Sequence, residues 1–349
     1  MVLFRLVIGL CLVAVAAHVS IAQRQAGGNT TENAVSAANA FLATLDDSKR
    51  AKANRPLTAS TRAIWSNLPT GIALQTGATE RNGLKLAAMT PVQEKSALAL
   101  VASVLSRDGY AKAMQIVDAD QVLETRSAPS REATARVRFG RGEFYLALLG
   151  KPTATDPWMI QFGGHHLAIN VTLAAREAVL TPTHTGTQPA SYSIEGRTIR
   201  PLGDENDKAF ALMNALSPDQ RKQALLGYEV RNIVLGPGTD GRMIQPEGIK
   251  GSALGEKQRA MLLDLAREWI DIISDPAAAA KGAEVKGNLA DTYFAWAGSV
   301  TNGQPAYFRI QGPTVFIEYA PQGTGASTDH IHTIYRDPTN DYLAKATSR

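Results

Sequence analysis

The chain has 349 residues, 44% of them hydrophobic, and a formal net charge of +4 from 36 Lys+Arg against 32 Asp+Glu. That length can bury a substantial core, and so small a charge, with no Lys/Arg cluster and no basic–aromatic interleaving, argues against nucleic acid as a partner. One cysteine, Cys11, excludes an internal disulfide.

In chain order, Arg5, the apolar run 6–17 and the small residues around Ser20-Ile21-Ala22 spell a secretory signal over residues 1–22. The run is shorter than the ~20 apolar residues of a spanning helix, so cleavage and no later membrane association are expected. Cys11 leaves with the signal, which gives a thiol-free chain suited to the periplasm or the exterior. Residues 23–34 read as a polar, disordered lead-in, and 35–349 as one domain. From Ala34 the pattern is helical. Thr90 and Gln93 form a capping box with Pro91 at the first helical position, and a helix over Tyr110–Leu123 follows. Beyond residue 130 the period changes to that of strands. Ser217-Pro218-Asp219-Gln220 then repeats the capping signature, and Glu256–Ile273 is an amphipathic helix.

Trp158 to Val171 reads as a β-hairpin. Gly163-Gly164 suits a two-residue turn with positive φ, which puts His165 and His166 just past it. Pro305 to Tyr319 repeats the layout, with Gln311-Gly312 as the turn. Side chains alternate along a strand, so Trp158, Ile160, Phe162, Leu167, Ile169 and Val171 share a core face, while Gln161, His166 and Asn170 share the other. In the second hairpin Phe308, Ile310, Val315 and Ile317 face the core. Arg309 and Glu318 share the opposite face, either paired with each other or used in a site. A shift of 148 positions aligns Tyr145 with Tyr293, Gly164 with Gly312, His184 with His332 and Thr185 with Thr333. The fold class expected is therefore α+β and internally duplicated: halves of about 35–190 and 205–345, each with helices followed by an antiparallel hairpin unit. A pseudo-two-fold axis would relate them, with the hairpins facing each other across one polar site.

His330-Ile331-His332 lies on a strand, so both imidazoles point the same way, a chelating arrangement. The five histidines beyond the signal all fall in the two β units. The expected metal ligands are His166, His330 and His332, binding a divalent ion, zinc first and copper or iron second. Glu318 is expected as general base or further ligand, and Arg309 and Arg336 as grips for an anionic substrate group. His165, His184, Gln161, Asn170 and Asp337 are expected to support the site or touch substrate. Gly236-Pro237-Gly238-Thr239-Asp240-Gly241 fits G-x-G-x-x-G, yet Pro237 and Pro246 prevent a helix from opening there, so it reads as a turn and no nucleotide cofactor is expected.

The phrases Gln161-Phe162-Gly163-Gly164-His165-His166, Ile317-Glu318-Tyr319, His330-Ile331-His332-Thr333 and Arg336-Asp337-Pro338 resemble a bacterial family of mostly exported proteins, the one called domain of unknown function 3500. The likeness covers nearly the whole chain beyond the signal. Leu343 follows Tyr342 here, where the family phrase usually ends Asp-Tyr-Gly. The resemblance implies one family and no activity. From the residues, the function expected is an exported metal-dependent hydrolase acting on a small molecule through metal-activated water. The alternatives are a non-catalytic periplasmic binding protein and a copper or iron oxidoreductase with the same ligands.

Overall fold

The computed structural model of the protein describes residues 30–128, 136–322 and 327–347. The expected signal, 1–22, lies outside them. The first described helix, Thr30–Ala43, begins inside the expected lead-in, because Thr31, Ala34, Ala38 and Phe41 give it a buried stripe. Both capping boxes form, Thr90 on the helix Pro91–Ala102 and Ser217 on Pro218–Ala224. Each satisfies otherwise unpaired N–H groups at a helix start. No described helix is long and apolar enough to cross a membrane.

The strands are β1 (Asn54–Arg55), β2 (Leu84–Lys85), β3 (Tyr145–Leu149), β4 (Trp158–Gly164), β5 (Leu167–Ala174), β6 (Glu177–Val179), β7 (Thr183–Thr187), β8 (Tyr192–Ile194), β9 (Arg197–Ile199), β10 (Ile249–Lys250), β11 (Tyr293–Gly298), β12 (Ala306–Gly312), β13 (Val315–Gln322) and β14 (Ser327–Arg336). β8 and β9 form a separate ribbon, and the rest join one twelve-stranded sheet in a mixed α/β molecule. The sheet's main path is β1-β3-β4-β5-β7-β14-β13-β12-β11-β10. At its centre β7 meets β14 antiparallel, Thr185 opposite Thr333, their hydroxyls 2.7 Å apart. The two hairpins therefore lie in one sheet, with β7 and β14 between them. They do not face each other across a cleft, because the backbone edges of β5 and β13 are satisfied by those two strands.

Both turns sit two residues later than expected. Gly164 pairs with Leu167 and Gly312 with Val315, which leaves His165-His166 and Pro313-Thr314 as the turns. A slip of two residues preserves the alternation, so the faces are those read from the sequence. One face carries Trp158, Ile160, Phe162, Leu167, Ile169, Val171, Phe308, Ile310, Ile317 and Tyr335 into a single continuous core beneath the helices. Each such side chain stabilises by about 1.5–3 kcal/mol when fully buried. The other face carries Gln161, Asn170, His184, Arg309, Glu318, His332 and Arg336, all buried, among three small apolar clusters.

Two loops roof this polar face. In the first, around 63–83, Asn82 donates to Gln161 Oε1 at 2.8 Å and Arg81 to the Gly164 carbonyl at 3.0 Å. In the second, around 226–248, the backbone N–H groups of Val234 and Leu235 donate to Glu318, and the Ile244 carbonyl accepts from Gln311. Trp65 from one loop and Leu235 from the other pack with Ala168, Phe316 and Ile334 of the sheet.

Candidate metal centre

The turn at residues 165–166 delivers the first ligand. His166 adopts φ +65°, outside the usual range for a side chain of its size. Its carbonyl accepts from Gly186 N at 2.7 Å and its N–H donates to the Asn67 carbonyl at 3.2 Å, which fix that conformation. The preceding glycines serve close approach and do not form the turn. A Cβ on Gly163 would stand 2.4 Å from the Leu167 carbonyl oxygen, and one on Gly164 2.8 Å from the Phe144 ring. Since β14 neighbours β7, His332 comes opposite Gly186, and His330 follows two residues away on the same face.

Three imidazoles converge. His166 Nε2 lies 2.8 Å from His330 Nε2, which lies 3.1 Å from His332 Nε2. Their ligand atoms fall within 4.8 Å of one another, close enough to hold a metal ion. Hydrogen bonding alone explains the contact poorly. A neutral imidazole carries one N–H, and His330 Nε2 faces two ring nitrogens while having one proton to give or one lone pair to accept with. Burial, reinforced by the neighbouring histidines, holds His166 and His332 well below the ordinary imidazole pKa and His330 at about 4, so all three are neutral at pH 7. Three neutral donors around one point are a cation's ligand set. Zn–N bonds of ~2.0–2.1 Å in tetrahedral geometry put ligand nitrogens about 3.3 Å apart, so a slight opening admits the ion.

The remaining two histidines flank this group. The His165 ring stacks on His166 at 3.6 Å, and its Nδ1 lies 2.6 Å from Asp120 Oδ1. Asp120 is buried on the helix Arg107–Ser127 and accepts from Gly140 N through its other oxygen at 2.7 Å. Asp120, His165 and His166 form a second, overlapping group able to hold a metal. His184 sits 5.2 Å from the His332 ring. Its Nδ1 is 3.3 Å from the His166 carbonyl, which assigns the proton to that nitrogen and leaves a buried, unpartnered Nε2. Burial pushes its pKa down to about 3.

Both roofing loops touch the far side of His332. Its Nδ1 lies 3.2 Å from Asn67 Nδ2 and 3.4 Å from Asn232 Oδ1. A metal ligand usually donates its second ring N–H to an oxygen. Asn232 Oδ1 offers one. Asn67 offers another if its amide turns over together with Gln75, whose side chain it meets at 2.7 Å. Amide orientation is assigned from such networks, and reversal would cost the Ser66 hydroxyl its acceptor on Gln75, so Asn232 is the better-placed oxygen.

The structure brings together His165, His166, His184, His330 and His332, and it places the other expected residues elsewhere. Glu318 is not part of the cluster. Its carboxylate accepts from Val234 N and Leu235 N, each at 2.9 Å, and from the Tyr307 hydroxyl at 2.6 Å, so it anchors a roofing loop. Burial raises its pKa above the ordinary range, and those donors oppose the shift. Arg309 is the cross-strand partner of Glu318, but its guanidinium pairs with Glu247 at 2.9 Å. Arg336 is spent on the Leu235 and Gly236 carbonyls, Asp240 and Asp341. Asp337 pairs with Lys281 and caps Thr339. Gln161 ties the first loop through the Arg62 carbonyl and Asn82, and Asn170 holds the Pro182 carbonyl. Residues 236–241 form a turn, as read. Sequence reasoning missed Asp120, Asn67 and Asn232. Asp120 sits in a helix of ordinary polarity, and only the paired loop asparagines, which stand before similar apolar-and-turn phrases, offered a signal.

A sequence model of the family described as "Protein of unknown function (DUF3500)" matches residues 27–344, nearly the whole chain. No curated protein and no solved structure matches it.

Proposed function

The chain belongs to the DUF3500 family, and we propose that it is a metal-dependent hydrolase of small molecules whose ion is held by His166, His330 and His332. The observation that carries this reading is the meeting of three neutral ring nitrogens at 2.8 and 3.1 Å, of which the central one, His330 Nε2, can make only one ordinary hydrogen bond. Zinc suits three imidazoles and leaves a fourth position open, and its bound water has a pKa near ~7. His165, backed by Asp120, takes the role of proton acceptor that the sequence had suggested for Glu318. A carboxylate at 2.6 Å fixes the imidazole tautomer and orients the ring. His184 and the loop asparagines Asn67 and Asn232 orient the ligands.

Two further readings accompany this one. The chain is exported, supported by the apolar run 6–17 and the small residues that follow it. It arose by duplication, supported by the order β3-β4-β5-β7 mirrored by β11-β12-β13-β14. The 148-residue sequence offset also carries Thr185 onto Thr333, the residues paired at the sheet's centre.

The test is elemental analysis of protein purified without an affinity tag, followed by chelation and an ester, amide and phosphoester screen. About one zinc per chain, lost in His332→Ala, with turnover that chelation abolishes, is the expected result. Copper or iron at that level would move the reading to redox chemistry on the same ligands. Metal-free protein that still binds small molecules would move it to a binding protein.

A further inference from the structure

Further along the roofed face lies a cavity of about 250 Å³ that the metal centre does not use. Its wall comes from four places: Arg62 at the end of the helix Ala59–Arg62, the loop bearing Asp240, Arg242 and Ile244, the sheet residues Gln311 and Phe316, and the C-terminal turn with Tyr342. No histidine lines it. On β14, His332 belongs to the metal centre and Arg336 to this cavity. Ile334, between them on the same face, is buried in the apolar plug of Trp65, Ala168, Leu235 and Phe316. The two sites are therefore separate.

The charges of the wall do not cancel. Asp240 and Asp341 are both committed to Arg336, at 3.0 and 2.9 Å, and Asp240 also accepts from the Tyr342 hydroxyl at 2.8 Å. The wall's three arginines against two carboxylates give it a net charge of +1, with Arg62 and Arg242 outside the Arg336 cluster. Among the described residues neither the Arg62 nor the Arg242 guanidinium has a carboxylate or carbonyl partner; Arg242 is exposed, whereas half-buried Arg62 is held with Cζ 4.7 Å from the centre of the Tyr342 ring. The ring positions the guanidinium and leaves its edge N–H groups free. Tyr342 and Leu343 both adopt φ +58°, where side chains are strained. Tyr342 is kept there by Trp65 Nε1 at 2.8 Å and by Asp240. The strained turn thus presents the aromatic face on which Arg62 rests.

We propose that this cavity binds a small organic anion, an apolar body bearing a carboxylate or a phosphate. Arg62 and Arg242 take the oxyanion, Arg62 by paired N–H donors, and Leu235, Ile244 and Phe316 contact the body. A free inorganic ion would leave those apolar contacts unused, and a neutral molecule would leave the arginines unmatched.

The experiment is isothermal titration of the intact, untagged protein with benzoate, phenyl phosphate, inorganic phosphate and benzyl alcohol. One-to-one saturable binding of benzoate or phenyl phosphate is expected, the tighter of the two identifying the group recognised. Inorganic phosphate should bind at least tenfold more weakly than phenyl phosphate, and benzyl alcohol should give no saturable heat. Arg62→Met should weaken the organic anion at least tenfold, and Arg62→Lys should restore part of the loss. Arg242→Met, at an exposed position that folding does not depend on, repeats the comparison should Arg62→Met melt early. His332→Ala should bind the anion as the unchanged protein does, which keeps this test independent of the metal reading. No binding of either organic anion, equal binding of benzyl alcohol, unchanged binding in both arginine variants, or loss in a folded His332→Ala would each overturn the proposal.

Discussion

Adding zinc to metal-free protein at pH 6.0 should release almost no protons. An ordinary imidazole, with a pKa of about 6.5, is about three-quarters protonated at that pH and must shed its proton to bind a metal, so three of them would release about 2.3 protons per ion. Here burial holds His330 at about 4 and His166 and His332 well below 6.5. A group with a pKa of about 4 carries about one-hundredth of a proton at pH 6.0, and a metal-bound water with a pKa of about 7 adds about a tenth. The expected release is therefore well under one proton per ion. Calorimetric titration in two buffers of different ionisation enthalpy reads this number directly. A release of one proton or more would mean that the free site holds charged imidazoles, and the account of three neutral converging donors would fail. The same shifts set the sign of the stability profile. Below about pH 6.5 the unfolded chain takes up protons on these residues, while the folded, metal-free protein resists them until about 4 at His330 and about 3 at His184. Stability should thus rise with pH across that window and be lost as pH falls through it, which urea titration at pH 4.5 and 7 would show.

Other substitutions separate the centre from its supports. Glu318→Gln removes charge and one acceptor facing Val234 N, Leu235 N and the Tyr307 hydroxyl. It should cost about 1–3 kcal/mol in urea unfolding while zinc stoichiometry stays unchanged, whereas lost zinc with normal stability would return Glu318 to the centre. Gly186→Ala would place a Cβ 2.8 Å from the Ile331 carbonyl oxygen, 3.1 Å from the His184 ring and 3.3 Å from the His166 ring. Overpacking of this kind costs about 1–3 kcal/mol, and displaced ligands should weaken zinc binding by at least about tenfold in a competition titration with a chromogenic chelator. Asp120→Asn keeps the shape and removes the charge beside His165. The variant should keep its zinc and lose about tenfold or more in turnover, and full activity would free His165 from the role of proton acceptor.

The core was legible because alternation survives a register error. Turns placed at Gly163-Gly164 and Gln311-Gly312 were two residues early, and an even slip left every side chain on the face assigned to it. The misplacement arose because Gly-Gly is the usual signature of a tight turn. Here those glycines make room for the Leu167 carbonyl and the Phe144 ring, while His166 itself takes the positive φ. The convergence of His166, His330 and His332 was legible for a simpler reason: two histidines at a spacing of two on a strand must point together. The fate of Glu318, Arg309 and Arg336 was not. Polarity placed them on the second face, but nothing local signals that loops some 60–100 residues away supply their partners.

Those loops explain why a sheet with so polar a second face remains buried on both sides. Their irregular backbone offers N–H and carbonyl groups that a helix would keep for itself. Glu318 takes two such N–H groups, Arg336 and Gln311 take carbonyls, and Gln161 takes the carbonyl of Arg62. Several of the buried charges and amides on the sheet are thereby satisfied by main chain. Both loops also reach His332, through Asn67 and Asn232, and the second cavity takes Arg62 from the helix that leads into the first loop and Arg242 from the second loop. A roof fixed by such contacts can give its ends different ligand chemistries: amides over the imidazoles, guanidiniums over the aromatic turn, and the Trp65–Leu235 plug keeping the two apart.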